Sequence, residues 1–255
     1  MKPQLGVMLT CYDEIEAVKY AVEQFRIYYP DTKIYLVTES KEQQYIQIFK
    51  NDKNIKVNYV EDSMSFYYNT PNLPIIYQTA DIQIKIKKAV LCFLTRLNDA
   101  IKYCDSDYML LMDPDVLIRG QLTISNEKKL LGSLANSGVP NNIKNILSNI
   151  EGAIPIDQWG ATPGIFHTET FKKAYLKFLS IENLLTQLTM NWYAMYAHDI
   201  IIPIMFSLIG EREYYNNDFI ECNTDPNWKN TDKKLVHHFK KYYKNATDKF
   251  PWWID

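Results

Sequence analysis

Asp113 and Asp115 stand one residue apart, directly after the apolar run Tyr108-Met109-Leu110-Leu111-Met112. In an extended chain, residues i and i+2 point the same way, so both carboxylates can converge on one point at the end of a strand. Two converging carboxylates repel unless a cation or a shared proton sits between them. A hard divalent cation, Mg²⁺ or Mn²⁺, prefers such oxygen ligands and keeps open positions for phosphate. Asp and Pro are also turn formers, so a plain turn after a strand is the competing reading. Two further groups have reactive types. His237-His238 closes the short apolar segment Leu235-Val236, and His198-Asp199 heads the apolar run Ile200-Ile201-Ile202. Asp199 is suited to capping a helix.

The elements that must position these groups follow from periodicity. Leu5 to Leu9 reads as a buried strand. Asp13, with Glu16 three residues on, opens a helix whose apolar face is Ile15, Val18, Val22, Phe25 and Tyr29. Lys33 to Thr38 is a second strand. Ser40 and Gln43 offer a second capping box, before the apolar positions Tyr45, Ile46 and Phe49. Ile55 to Val60 is a third strand. This β-α-β-α-β order implies a parallel sheet flanked by helices, with its active edge beyond the carboxyl ends of the strands. Ser63 to Ala80 reads as a loop. Asp81 caps a long helix bearing Ile82, Ile86, Val90, Phe93, Leu97 and Ile101, and the strand ending in Asp113 follows. Gly120 to Gln158, polar and Asn-rich, reads as irregular, with short helices at most. Trp159 to Phe166 looks like a strand with tight turns, where Gly160 and Gly164 permit close backbone approach. Helices are expected from Thr168 to Ser180, from Glu182 to Ala197 and from His198 onward, and a late strand over Leu235 to Phe239.

Composition narrows the field. With 255 residues and a formal net charge of −2, the chain can bury a large core and has no strong pull toward nucleic acid or anionic lipid. Cys11, Cys92, Cys104 and Cys222 have no zinc-like or C-x-x-C spacing, which fits a reducing compartment. No basic-then-apolar leader is apparent, and the longest apolar run, Ile200 to Ile209, is too short to span a bilayer. A cytoplasmic location is therefore expected, and the sequon at Asn245 is taken as accidental. The first three strand ends lack a G-x-G-x-x-G or G-x-x-x-x-G-K loop, which argues against a dinucleotide-binding dehydrogenase or a P-loop enzyme.

The D-P-D at the end of a mid-chain strand, behind a long apolar helix, resembles the D-x-D element of nucleotide-sugar glycosyltransferases with the GT-A fold. The segment His238-Phe239, lysines, then Pro251-Trp252 is similar to the C-terminal H-F…K-P-W segment of glycogenin-like enzymes, without the glycine that usually follows the aromatic. The resemblance implies an α/β GT-A fold with a mostly parallel central sheet flanked by helices. The whole chain, 1–255, would form one domain, with residues 1–118 holding nucleotide and 119–255 holding sugar and acceptor. It implies a metal-dependent transferase moving a sugar from a nucleotide donor, UDP-linked by preference, to a hydroxyl of a glycan or other acceptor. Asp113 and Asp115 would hold the metal, with His238 as the first choice of third ligand and His237 as the alternate. A nitrogen ligand tilts the choice toward Mn²⁺ over Mg²⁺. Thr10, Tyr12, Glu39, Asp62 and Asp113 would contact the nucleotide, and Lys241 and Lys244 its phosphates. Asp157, Trp159, Gly160 and Gly164 would line the sugar. Asp199 would be the general base of an inverting displacement. Two other readings stay open. One is a phosphatase of the haloacid-dehalogenase type, whose D-x-D usually lies near the N-terminus; the other is a non-catalytic carbohydrate-binding module of transferase-like fold.

Overall fold

The computed structural model describes residues 3–11, 15–38, 41–60, 80–133, 135–160, 163–191, 198–222, 225 and 227–237. A central sheet has the order β10-β6-β9-β4-β1-β2-β3. Its strands are β1 (Leu5–Cys11), β2 (Ile34–Thr38), β3 (Ile55–Tyr59), β4 (Tyr108–Met112), β6 (Leu130–Gly132), β9 (Gly164–His167) and β10 (Glu213–Tyr215). All run parallel except β9, which is antiparallel to both β4 and β6. A smaller sheet, β11-β12-β5, joins β5 (Val116–Ile118), β11 (Phe219–Glu221) and β12 (Leu235–His237). A two-stranded pair joins β7 (Ala135–Gly138) and β8 (Gln158–Trp159). This is the mixed α/β architecture, with a mostly parallel sheet, that the strand-helix alternation implies.

The helices are α1 (Ile15–Tyr28), α2 (Glu42–Phe49), α3 (Ala80–Cys104), α4 (Asn141–Ser148), α5 (Thr168–Ser180), α6 (Leu184–Asn191) and α7 (His198–Ser207). The two faces of the sheet feed two separate apolar clusters. Val7, Leu9, Leu110, Met112 and Ile165 pack with Val18, Val22 and Phe25 of α1. The alternating residues Met8, Met109, Leu111 and Phe166 pack with Ile86, Val90, Leu94 and Leu97 of α3, Phe171 of α5 and Phe206 of α7. Successive strand residues face opposite ways, so central strands covered on both faces are apolar throughout, as β4 is. Gly6 of β1 leaves no room for a side chain: a Cβ there would meet Cys104 Cβ, at the end of α3, at 2.5 Å and Ser106 Oγ at 2.6 Å. No helix among the described residues is long and apolar enough to cross a membrane.

Five local expectations are corrected. Gly120 to Gln158 is not simply irregular with short helices: it holds β6, β7, the helix α4 and the start of β8. These strands are so short that they leave little periodicity to read. Lys41, in the left-handed region at φ 54°, occupies the N-cap of α2, not Ser40, which lies outside the described residues. Of the supposed apolar face of α2 only Tyr45 is buried, and Ile46 is 43% exposed, because α2 packs on the sheet's edge beside β3. Asp81 does not cap α3, which already includes Ala80. The second helix expected in the chain's later half covers only Leu184–Asn191 among described residues. The proposed cap at Asp13 and the loop over residues 63–79 fall outside them.

Candidate active site

β1 and β4 lie side by side with Leu9 opposite Met112, so Thr10 and Asp113 are neighbours at the carboxyl edge of the sheet. The Thr10 hydroxyl donates to Asp113 Oδ1 at 2.7 Å. That bond fixes the carboxylate's rotation while its remaining lone-pair positions can serve a ligand, since an ionised carboxylate has about four. The chain then turns: the Val116 amide donates to the Asp113 carbonyl at 3.1 Å and leads into β5.

β5 is what joins the two halves of the site. Val116 pairs with His237 across an antiparallel ladder, and His237 pairs with Glu221 across a parallel one. Asp115, immediately before Val116, therefore meets the end of β12. His237 Nε2 lies 3.8 Å from Asp115 Oδ1, and its Nδ1 lies 3.1 Å from Glu221 Oε2. The imidazole side chain is only 11% exposed. Burial pulls its pKa down. The Glu221 hydrogen bond and the charges of Asp115, Asp113 and Glu221 outweigh burial, and the pKa is raised. Burial, then the Glu221 charge, push the thiol of Cys222, next along the chain, up to about 12.

β12 is held in place by Arg119, which follows β5. Its backbone amide donates to the Lys234 carbonyl at 2.8 Å. Its guanidinium donates to the carbonyls of Lys233, at 2.8 Å, and Trp228, at 3.1 Å, and lies over the Trp228 ring. The fork of donors suits several carbonyls at once.

Among the described residues no group of three or more His, Cys, Asp or Glu is already drawn in to metal-binding distances. Asp115 Oδ1 and His237 Nε2 are 3.8 Å apart, within the span of two bonds of about 2.1 Å to one Mg²⁺- or Mn²⁺-sized ion, and the Asp113 charge acts on the same imidazole. The site's like charges are also those that a cation, or a protonated imidazole in its place, would balance.

The other sequence candidates scatter. Gly164 starts β9 opposite Leu111, near the same carboxyl edge. The Gly160 carbonyl accepts from the Ser133 amide at 2.7 Å and its hydroxyl at 3.0 Å. Asp157 lies on the surface, its side chain 83% exposed and paired with Lys144 at 2.6 Å. Trp159 belongs to β8; its side chain is not among those described. Asp199 is the second residue of α7, within the first turn. Its side chain also lies outside the described set, as do Tyr12, Glu39, Asp62, His238, Lys241 and Lys244 altogether. Residue patterns gave no signal for two acids that the structure brings in. Glu221 joins the site through strand register alone. Glu213 is buried so close to Gly132 that a Cβ there would run into its carboxylate and the Gly160 carbonyl. A cavity of about 720 Å³, lined in part by Gln4, Tyr28, Tyr29 and Lys33, opens at the opposite edge, away from Asp113. Sites on parallel sheets form at the carboxyl edge, where the acids are.

Comparison with known protein families and with curated proteins finds no match for this sequence. Comparison with solved structures finds many. The galactosyltransferase LgtC, solved with donor and acceptor sugar analogs, superposes with a TM-score of 0.51 over 92% of this chain and 87% of its own, at 13% identity. The bifunctional glycosyltransferase WbbM gives 0.50 over 94% of this chain and 46% of its own, at 10% identity. The fold is the GT-A fold of nucleotide-sugar glycosyltransferases. This chain spans under half the length of WbbM.

Proposed function

We propose that this protein is a metal-dependent glycosyltransferase that moves a sugar from a nucleotide-sugar donor, UDP-linked by preference, to a hydroxyl acceptor. The observation that carries the proposal is the meeting of Asp113, Asp115 and His237 at the carboxyl edge of the sheet. Asp113, Asp115 and His237 Nε2 would hold Mn²⁺, or Mg²⁺; bound there, the ion neutralises negative charge on the departing diphosphate as a Lewis acid. Thr10 orients Asp113. Gly160 and Gly164 would line the sugar, and Tyr12, Glu39 and Asp62 would contact the nucleotide. Lys241 and Lys244 would contact its phosphates. Asp199, in the first turn of α7, supplies the carboxylate that assists the acceptor hydroxyl. The phosphatase reading gains nothing from this arrangement, because the D-x-D follows the fourth strand among the described residues, not the first.

A thermal-shift screen of nucleotide sugars with and without Mn²⁺ tests the proposal, since a ligand that binds the folded state raises the melting temperature by mass action. UDP-sugars should raise it only with Mn²⁺ present. No shift with any nucleotide sugar and Mn²⁺ together would overturn the proposal.

A further inference from the structure

We infer that Glu221 is a positioning residue that fixes the ring orientation and tautomer of His237 for metal binding. The inference rests on the metal site proposed above and concerns a residue outside the ligand set. Its first support is topological. β11 and β12 are parallel and Glu221 is the register partner of His237, so the two side chains leave the same face of the small sheet side by side. The second support is direction. The two ring nitrogens face different acids: Nδ1 lies 3.1 Å from Glu221 Oε2, while Nε2 looks toward Asp115 Oδ1 at 3.8 Å. A neutral imidazole has one N–H and one lone pair. When Nδ1–H donates to Glu221, the lone pair must sit on Nε2, on the side of Asp113 and Asp115. A ligating histidine needs that arrangement, and carboxylates commonly impose it from behind the ring.

The third support is restraint. Glu221 and His237 side chains are 22% and 11% exposed, so neither swings freely in solvent. The Phe219 ring lies tilted against the imidazole, 6.3 Å between centroids. The Cys222 amide donates to the His237 carbonyl at 3.1 Å, which ties the strand end that carries Glu221 to the one that carries His237. Asp115 cannot do the same task, because it lies on the nitrogen that the metal would take.

The test measures Mn²⁺ affinity, by electron paramagnetic resonance of free Mn²⁺ with and without UDP, in wild type, Glu221→Ala, Glu221→Gln and Asp115→Asn. Nitrogen NMR of His237 reads the tautomer in the metal-free protein, at a pH where the ring is neutral. Loss of an outer carboxylate typically costs about 10–100-fold in metal affinity. Glu221→Ala should fall in that range and move the ring proton from Nδ1 to Nε2. Glu221→Gln, whose side-chain carbonyl still accepts from Nδ1–H, should keep the tautomer and recover most of the affinity. Unchanged affinity and tautomer in Glu221→Ala, with Asp115→Asn abolishing binding, would overturn this inference and leave the metal site standing. Loss as complete in Glu221→Gln as in Asp115→Asn would make Glu221 a ligand and also overturn it. Absence of Mn²⁺ binding in folded wild type would overturn both.

Discussion

If His237 Nε2 is a metal ligand, Mn²⁺ binding must expel a proton, and its pH dependence has a defined sign and size. Without metal, His237 sits between Glu221 at 3.1 Å and Asp115 at 3.8 Å, and their charges raise its pKa against the opposing effect of burial. A raised folded pKa means that this ion pairing stabilises the metal-free protein fully below the unfolded value of about 6.5. That contribution fades as pH climbs through the folded value. Mn²⁺ acts in the opposite direction. While His237 is protonated, each bound ion releases one proton, so affinity rises about tenfold per pH unit, and each tenfold is worth about 1.4 kcal/mol. At saturating Mn²⁺ that increment adds directly to stability. For a chain of this length about 2–4 °C accompanies each kcal/mol, which gives about 3–6 °C of additional Mn²⁺-induced shift per pH unit. The slope flattens once the ring is neutral. Melting curves with and without Mn²⁺, from about pH 5.5 to about pH 8.5 to bracket the unperturbed histidine value, measure it. His237→Ala should abolish the slope and His238→Ala should preserve it. A Mn²⁺-induced shift independent of pH, or one that shrinks as pH rises, would refute the reasoning; a slope lost in His238→Ala instead would move the ligand one residue along.

Three further outcomes follow from the same geometry. Asp113→Asn or Asp115→Asn should leave the protein folded, while calorimetry loses Mn²⁺-dependent UDP binding; unchanged affinity in both would contradict the metal assignment. Asp199→Asn should preserve UDP and Mn²⁺ affinity but lower turnover by about 10²–10⁴-fold, whereas a helix-capping role predicts almost no effect, since Asn caps nearly as well; the anomeric configuration of the product, read by NMR, separates a base in single displacement from a double-displacement route. Arg119→Lys should cost about 1–3 kcal/mol by urea unfolding, because one ammonium cannot reach the carbonyls of Trp228 and Lys233 together, and it should weaken Mn²⁺ binding by loosening β12; a neutral substitution would remove Arg119 from the account.

The sheet's first three strands and the strand ending at Asp113 were legible because buried parallel strands are short apolar runs and the helices between them carry a 3.6-residue period. The D-x-D was legible because that apolar run stops abruptly at two acids. Strand register was not. Glu221 and His237 meet across a parallel pairing whose connection runs through the Trp228 turn, and no local pattern announces which residues of β11 and β12 face each other. The sequence motif favoured His238, the residue just before Phe239, whereas the ladder Val116–His237–Glu221 brings His237 to Asp115. β6 and β7 escaped notice because strands of three or four residues show no alternation, and here they are cut from an Asn-rich stretch. Glu213 escaped because a lone acid on an edge strand reads as solvated; its burial depends on Gly132 leaving room for it.

The central claim is that the acids at the carboxyl edge of β4 hold a metal in order to break a nucleotide-sugar bond. Release of free nucleoside diphosphate from a panel of nucleotide sugars, with Mn²⁺ and with chelator, measures this most directly. The account predicts release from UDP-sugars that requires Mn²⁺, accelerates when a suitable hydroxyl acceptor is added, and vanishes in a folded Asp113→Asn variant. Release that persists at full rate in chelator or in Asp113→Asn, or no release from any nucleotide sugar by a protein that binds Mn²⁺ and UDP, would contradict it.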